Sequence, residues 1–178
     1  MSEQPPVNLG HNVLIALSNR STSLRLVQVV ARRITDPAHT QITLFHYLES
    51  IYWEHGGINR EGWRQQAQEW LACEHDQEVI TSRYFQQARS ILYRAGVPAG
   101  NIGARMTWDT NNAAEAILAE LKAGDYTTVV IGRHHHSLVD RLLGGDLADV
   151  LERYEEPPVA VWCVVIAPAA LAVLPGND

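Results

Sequence analysis

The fold is decided by TTVVIG (residues 127–132), RHHHSLVDRLLGG (133–145), DLADVLERYEEPP (146–158) and VAVWCVV (159–165). The first segment is apolar and β-branched as far as Ile131, which predicts a strand buried on both faces of a parallel sheet. In the third segment, apolar residues recur at helical spacing at Leu147, Val150, Leu151 and Tyr154. Strand, glycine loop, helix and strand together predict a βαβ unit.

The glycines of this unit point to a ligand site. Gly144 and Gly145 stand directly before Asp146, at which the predicted helix begins. A glycine loop leading into a helix lets backbone N–H groups converge on an anion, and the helix dipole adds attraction. The stretch therefore has the layout of a phosphate cradle.

The rest of the chain repeats the alternation of strand and helix. We predict strands at 13–17, 41–47 and 103–108, and helices at 24–33, 61–95 and 113–122. Polar capping residues precede two of the helices, at 18–22 and 109–112. The apolar stripe of the long segment lapses at 75–77, where we expect a kink or break. This order predicts a doubly wound parallel sheet with right-handed crossovers.

Composition and charge narrow the classes of function. With 178 residues, 46% of them apolar, we expect one domain over 1–178, with a loose lead-in at 1–11 and a tail at 167–178. The net charge of −6 argues against nucleic acid or an anionic membrane as partner. Cys73 and Cys163 form no disulfide framework, and the first eleven residues lack the pattern of a signal peptide. We therefore expect a cytoplasmic protein.

Four segments together resemble the universal stress protein family over about residues 12–166. They are VLIALSNRSTS (13–23), QITLFHY (41–47), MTWDTNNAAEAILAEL (106–121) and the stretch that runs from 126 to 162. The resemblance implies a single three-layer α/β/α domain of Rossmann-like type, with a five-stranded parallel sheet. It also implies a homodimer through the last strand, at Val159, Val161, Cys163 and Val165.

The resemblance extends to the loop in which ATP-binding members carry G-x2-G-x9-G-[S/T]. On that spacing Gly132 and Gly145 match, whereas His135 replaces a glycine and Asp146 replaces Ser or Thr. The imidazole side chain restricts a backbone that must approach phosphate closely. The carboxylate repels phosphate and can cap the N–H groups that would hold it. These changes predict weak or absent ATP binding.

The start of the chain also departs from the family in a way that disfavours nucleotide binding. ATP-binding members place an Asp at the end of the first strand to contact the nucleoside, and Ser18 followed by Asn19 stands there. ATP or AMP is thus the candidate cofactor that the resemblance implies and that these residues disfavour. The candidate ligand-binding residues are Ser18, Asn19, Tyr47, Gly132, Arg133, His135, Gly144, Gly145 and Asp146.

Three functions remain open from the sequence. The first is a binding protein without turnover that senses a ligand or a protein partner at the crevice of Ser18, Gly132 and Gly145. The second is an ATP- or AMP-binding switch, or a nucleotide-hydrolysing protein, that uses the altered glycine loop. The third is a metal-binding module at His134–His136, against which a solvated histidine loop is favoured because no CxxC or HExxH accompanies it. No GxSxG is present either, and we predict no catalytic residues.

Overall fold

The computed structural model describes residues 9–18, 21–48, 63–108, 112–133 and 159–165. The strands are β1 (Asn12–Leu17), β2 (Gln41–Tyr47), β3 (Ile102–Thr107), β4 (Thr128–Arg133) and β5 (Ala160–Val165). The helices are α1 (Ser21–Ala31), α2 (Trp63–Arg94) and α3 (Ala113–Ala123), with a short 3₁₀ turn at Ala99–Asn101. Residues 1–8, residues 49–62, the predicted helix after Gly145 and the tail at 167–178 lie outside the described residues.

All five strands form one parallel sheet in the order β3-β2-β1-β4-β5. This arrangement confirms the predicted doubly wound α/β fold with a five-stranded sheet. The strand order reverses at β1, because β2 pairs on one side of it and β4 on the other. In open α/β sheets ligands bind at such a reversal, beyond the carboxyl ends of the strands.

Helices cover both faces of the sheet. On one face, α1 and α2 bury side chains against alternate strand residues, which include Val13, Ile15, Leu44 and Val130. On the other face, α3 packs on the residues between them, which include Leu14, Phe45 and Val129. Successive strand residues point to opposite faces, so a strand covered on both sides must be apolar throughout. This packing explains why the strands read as continuous apolar runs.

The long helix α2 is a single uninterrupted helix of 32 residues. We predicted a kink or break at 75–77: the break is wrong, since these residues are helical, and the kink stays a prediction. An apolar stripe reports what a helix packs against, whereas its backbone hydrogen bonds are satisfied internally. The helix ends at Arg94, one residue before the predicted end at 95, and Gly96 follows with a φ of +96° that suits glycine. Among the described helices, none is long and apolar enough to cross a membrane.

The capping signals locate the shorter helices. Asn112 caps α3, and its side chain accepts a hydrogen bond of 2.9 Å from the Glu115 backbone N–H. Ala116, Ile117 and Leu121 of α3 are all buried. Helix α1 begins at Ser21, three residues before the predicted start at 24. Hydroxyl side chains are well suited to a first turn because they can bond to its unpaired backbone groups.

Candidate functional site

The candidate site is the carboxyl edge of the sheet, where β2, β1 and β4 end side by side. Leu17 pairs with His46 in one direction, and Ala16 pairs with Ile131 in the other. Ser18 directly follows β1, Tyr47 ends β2 and Gly132 lies near the end of β4. The fold therefore brings three of the predicted ligand residues to one edge, although they are far apart in sequence.

The remaining predicted residues are only partly covered by the structure. Arg133 is the last residue of β4, and its side chain is not described. The loop residues outside the described part are Asn19, His135, Gly144, Gly145 and Asp146. The predicted effect of these residues on phosphate binding therefore stays a prediction.

Ser18 is joined by hydrogen bonds to the first turn of α1. Its backbone N–H donates to the Ser23 hydroxyl at 2.8 Å, and the two hydroxyl oxygens lie 2.9 Å apart. Ser23 is buried, with 4% of its surface exposed. The end of β1 thus carries a neutral hydroxyl that already has an internal partner.

His46 is a second polar residue at this edge, and neither it nor Ser23 was among the residues predicted from the sequence. Its imidazole is 7% exposed, and Nδ1 lies 2.7 Å from the carbonyl oxygen of Leu17. Because a carbonyl only accepts, Nδ1 must carry the hydrogen, and in the neutral ring Nε2 is then an acceptor. The signal in the sequence that could have identified His46 is a histidine near the carboxyl end of a largely apolar strand.

Tyr47 lies on the opposite face of the sheet from His46. It is half-buried and packs against the cluster of α3, which contains Phe45 and Ile117. Gly132, also half-buried, pairs with Val164 of β5. The described part of the edge therefore combines an aromatic ring, a glycine, two hydroxyls and an imidazole. Such groups can bind a polar ligand through hydrogen bonds.

Within the described ranges, no group of three or more His, Cys, Asp or Glu side chains is placed to hold a metal ion. The histidine cluster at His134–His136 lies outside those ranges, so the metal alternative is not tested there.

A polar cluster of Tyr126, Glu120 and Arg105 lies away from this edge, between α3 and the sheet. The Tyr126 hydroxyl donates to Glu120, which also pairs with Arg105 of β3 at 3.1 Å. Burial is the main cause that raises the pKa of Tyr126 above its usual value, and the bond to Glu120 raises it further. This cluster attaches α3 to the sheet and has no contact in common with Ser18 or His46 among those described.

The strand order defines a class, the α/β proteins of Rossmann-like type with a switch point at β1. The model of the universal stress protein family matches residues 10–161. The chain therefore belongs to the universal stress protein family. No curated protein matches the chain significantly.

Solved structures agree on the fold. A universal stress protein in complex with cAMP has a TM-score of 0.58 and 15% identity, over 88% of this chain and 98% of that one. A family member from Burkholderia pseudomallei has a TM-score of 0.57 and 16% identity, over 89% and 98%. The universal stress protein from Archaeoglobus fulgidus in complex with dAMP has a TM-score of 0.51 and 14% identity, over 87% and 98%.

Proposed function

We propose that this member of the universal stress protein family works by ligand or partner binding and by dimerisation, without catalytic turnover and with weak or absent ATP binding. We also propose that it acts in the cytoplasm, a location that suits its two widely spaced cysteines and its net charge of −6. The described polar groups of the crevice are typical of a binding site.

One observation carries the proposal: the Ser18 hydroxyl stands where ATP-binding members present a carboxylate. A carboxylate accepts strong hydrogen bonds from the hydroxyl and amino groups of a nucleoside. A neutral hydroxyl forms weaker ones, and this hydroxyl already lies 2.9 Å from that of Ser23. In the sequence, His135 and Asp146 replace loop residues of ATP-binding members, and both replacements also argue against phosphate binding.

The dimer part of the proposal is supported by the position of β5. This strand is at the edge of the described sheet, and Val165 is 52% exposed. Val159, Val161 and Cys163 are half-buried along the same strand. An apolar edge strand offers backbone and side chains for pairing with a second copy. Val165→Lys should give monomers in sedimentation, whereas Ile80→Lys, at an exposed site on α2, should not. A wild type that sediments as a monomer would refute this part.

The second candidate is a nucleotide-binding switch. It is favoured by the ligands of two solved structures with this fold, cAMP and dAMP, both of which are adenine nucleotides with one phosphate. In that case the crevice would hold the nucleoside despite Ser18, with Gly132, Arg133 and Gly145 near the phosphate.

Isothermal calorimetry with ATP and AMP, with and without Mg²⁺ at neutral pH, separates the two candidates. The absence of heat, with an unchanged melting temperature at millimolar nucleotide, is the expected result. A micromolar Kd, equivalent to about −8 kcal/mol, would refute weak binding and favour the switch. Ser18→Asp should increase AMP affinity, while the matched control Ser90→Asp, on an exposed part of α2, should leave it unchanged.

A further inference from the structure

The peptide group at the end of β1 is bonded at both ends by side chains. The Leu17 carbonyl accepts from His46 Nδ1 at 2.7 Å, and the Ser18 N–H donates to Ser23 Oγ at 2.8 Å. These two backbone groups belong to one peptide unit, in which a trans bond points them in opposite directions. His46 comes from β2 and Ser23 from α1, so two different elements bond to the Leu17–Ser18 peptide.

Both bonding side chains are buried, His46 with 7% and Ser23 with 4% of its surface exposed. Water therefore has little access to replace either partner, and an unpaired peptide group at this depth would be costly. The direction in which the chain leaves β1 depends on the orientation of this peptide. The second contact of Ser23, 2.9 Å from the Ser18 hydroxyl oxygen, also fixes the Ser18 side chain at the carboxyl edge of the sheet.

These bonds differ from the ladder bonds of the sheet in one respect. Ladder bonds break only when strands separate, whereas a side chain can release a peptide while the strands stay paired. Residues that hold such a peptide can control the geometry of a crevice without touching the ligand.

We propose that His46 and Ser23 are positioning residues, which clamp the Leu17–Ser18 peptide and thereby place the Ser18 hydroxyl for ligand binding. The clamp itself follows from the contacts above; its role in ligand binding rests on the proposed function, which takes this edge as the binding site. The crevice would then be preorganised at the end of β1 before any ligand arrives.

Two measurements on the ligand-free, full-length protein test the clamp. The ¹⁵N shifts of the His46 ring should show the hydrogen on Nδ1, and exchange of the Ser18 amide should be slowed. Ser23→Ala should speed that exchange about five-fold or more, the value of one net hydrogen bond. Ser90→Ala, on the exposed face of α2, should not change it. A ring protonated on Nε2 alone, or Ser18 exchange unaffected by Ser23→Ala, would overturn the clamp.

Replacing the histidine separates positioning from general stability. His46→Asn keeps an N–H close to the position of Nδ1 and should retain Ser18 protection, whereas His46→Leu should lose it. Val130→Ala removes fully buried volume from β4 without touching the peptide, and it controls for loss of stability. Equal loss of protection in His46→Leu and Val130→Ala would overturn the positioning role.

Titration with AMP, followed at the Ser18 and Gly132 amides, tests the effect on ligand binding. His46→Leu should weaken any AMP-induced shift of the wild type, and His46→Asn should preserve it. A measurable AMP response that is the same in all three proteins would overturn the role of the clamp in binding. Where the wild type shows no response, the same comparison in the Ser18→Asp background, for which AMP affinity is expected, decides the role of the clamp. Tight ATP binding by the wild type would instead refute the proposed function, and the ligand-free results on the clamp would stand.

Discussion

Replacing Tyr126 by Phe removes one hydroxyl from the polar cluster that joins α3 to the sheet. That hydroxyl donates to Glu120 Oε1 at 2.5 Å. The Glu120 side chain is only 11% exposed and keeps its pairing with Arg105, whose side chain is 60% exposed. The variant therefore leaves a mostly buried carboxylate with one hydrogen-bond donor fewer.

The expected loss follows from the charge and burial of Glu120. Hydrogen bonds to charged groups contribute about 1.5–3 kcal/mol, and removal of a donor costs most when water cannot replace it. Arg105 remains as a partner, which places the expected decrease in unfolding free energy near the lower end, at about 1.5–2 kcal/mol. The phenyl ring keeps the packing of the tyrosine.

Urea denaturation of wild type and Tyr126→Phe at neutral pH measures this difference. Tyr93→Phe is the matched control, because Tyr93 is 63% exposed on α2 and its loss should change stability little. A difference for Tyr126→Phe below about 0.5 kcal/mol, the range of ordinary surface substitutions, would refute the reasoning.

We also predict that the stability difference between wild type and Tyr126→Phe depends on pH. Burial, followed by the bond to Glu120, raises the pKa of Tyr126 in the folded state above that of an unfolded tyrosine. Above about pH 10 the unfolded chain has released a proton that the folded protein still holds, so stability falls as pH rises. The difference between wild type and Tyr126→Phe should be full below that pH and should shrink above it. A difference that stays constant would contradict the bond.

Three further changes have defined outcomes. Gly124→Ala should lower stability by about 1–3 kcal/mol in urea because the new Cβ would overlap the nearby tyrosine ring; Gly100→Ala, with no atom within 4 Å of its Cβ, should be close to neutral. Asn112→Ala should cost about 1 kcal/mol through loss of the α3 cap, and an unchanged urea midpoint would refute that cap. His135→Gly combined with Asp146→Ser should restore nucleotide affinity in calorimetry, and no gain would refute our account of the loop.

Local patterns were enough to place most elements. The strand Gln41–Tyr47 has the predicted ends, because a β-branched, apolar run between turn residues has few other stable conformations. The end of α2 just before Gly96 and the capping of α3 by Asn112 also follow from the conformational preferences and hydrogen bonds of neighbouring residues. The prediction of a break in α2 was wrong because a lapse in an apolar stripe reflects missing packing partners and not a change of backbone conformation.

For the candidate site, the sequence supplied Ser18, Tyr47 and Gly132, since the residue that ends a parallel strand is known once the strand is known. It did not supply His46 or Ser23. A histidine in a strand and a serine in a first helical turn have many common roles. Their importance here depends on which carbonyl and which N–H lie next to them.

The sequence by itself therefore determined the order of strands and helices along the chain, the approximate ends of most elements and the family to which the chain belongs. These features depend on interactions between residues close in the chain, or on patterns that repeat along it. Only the tertiary structure decided that His46, 29 positions from Leu17, bonds to its carbonyl oxygen, and that Tyr126, Glu120 and Arg105 share one cluster. Such contacts depend on strand order and register, which bring together groups that no local pattern connects.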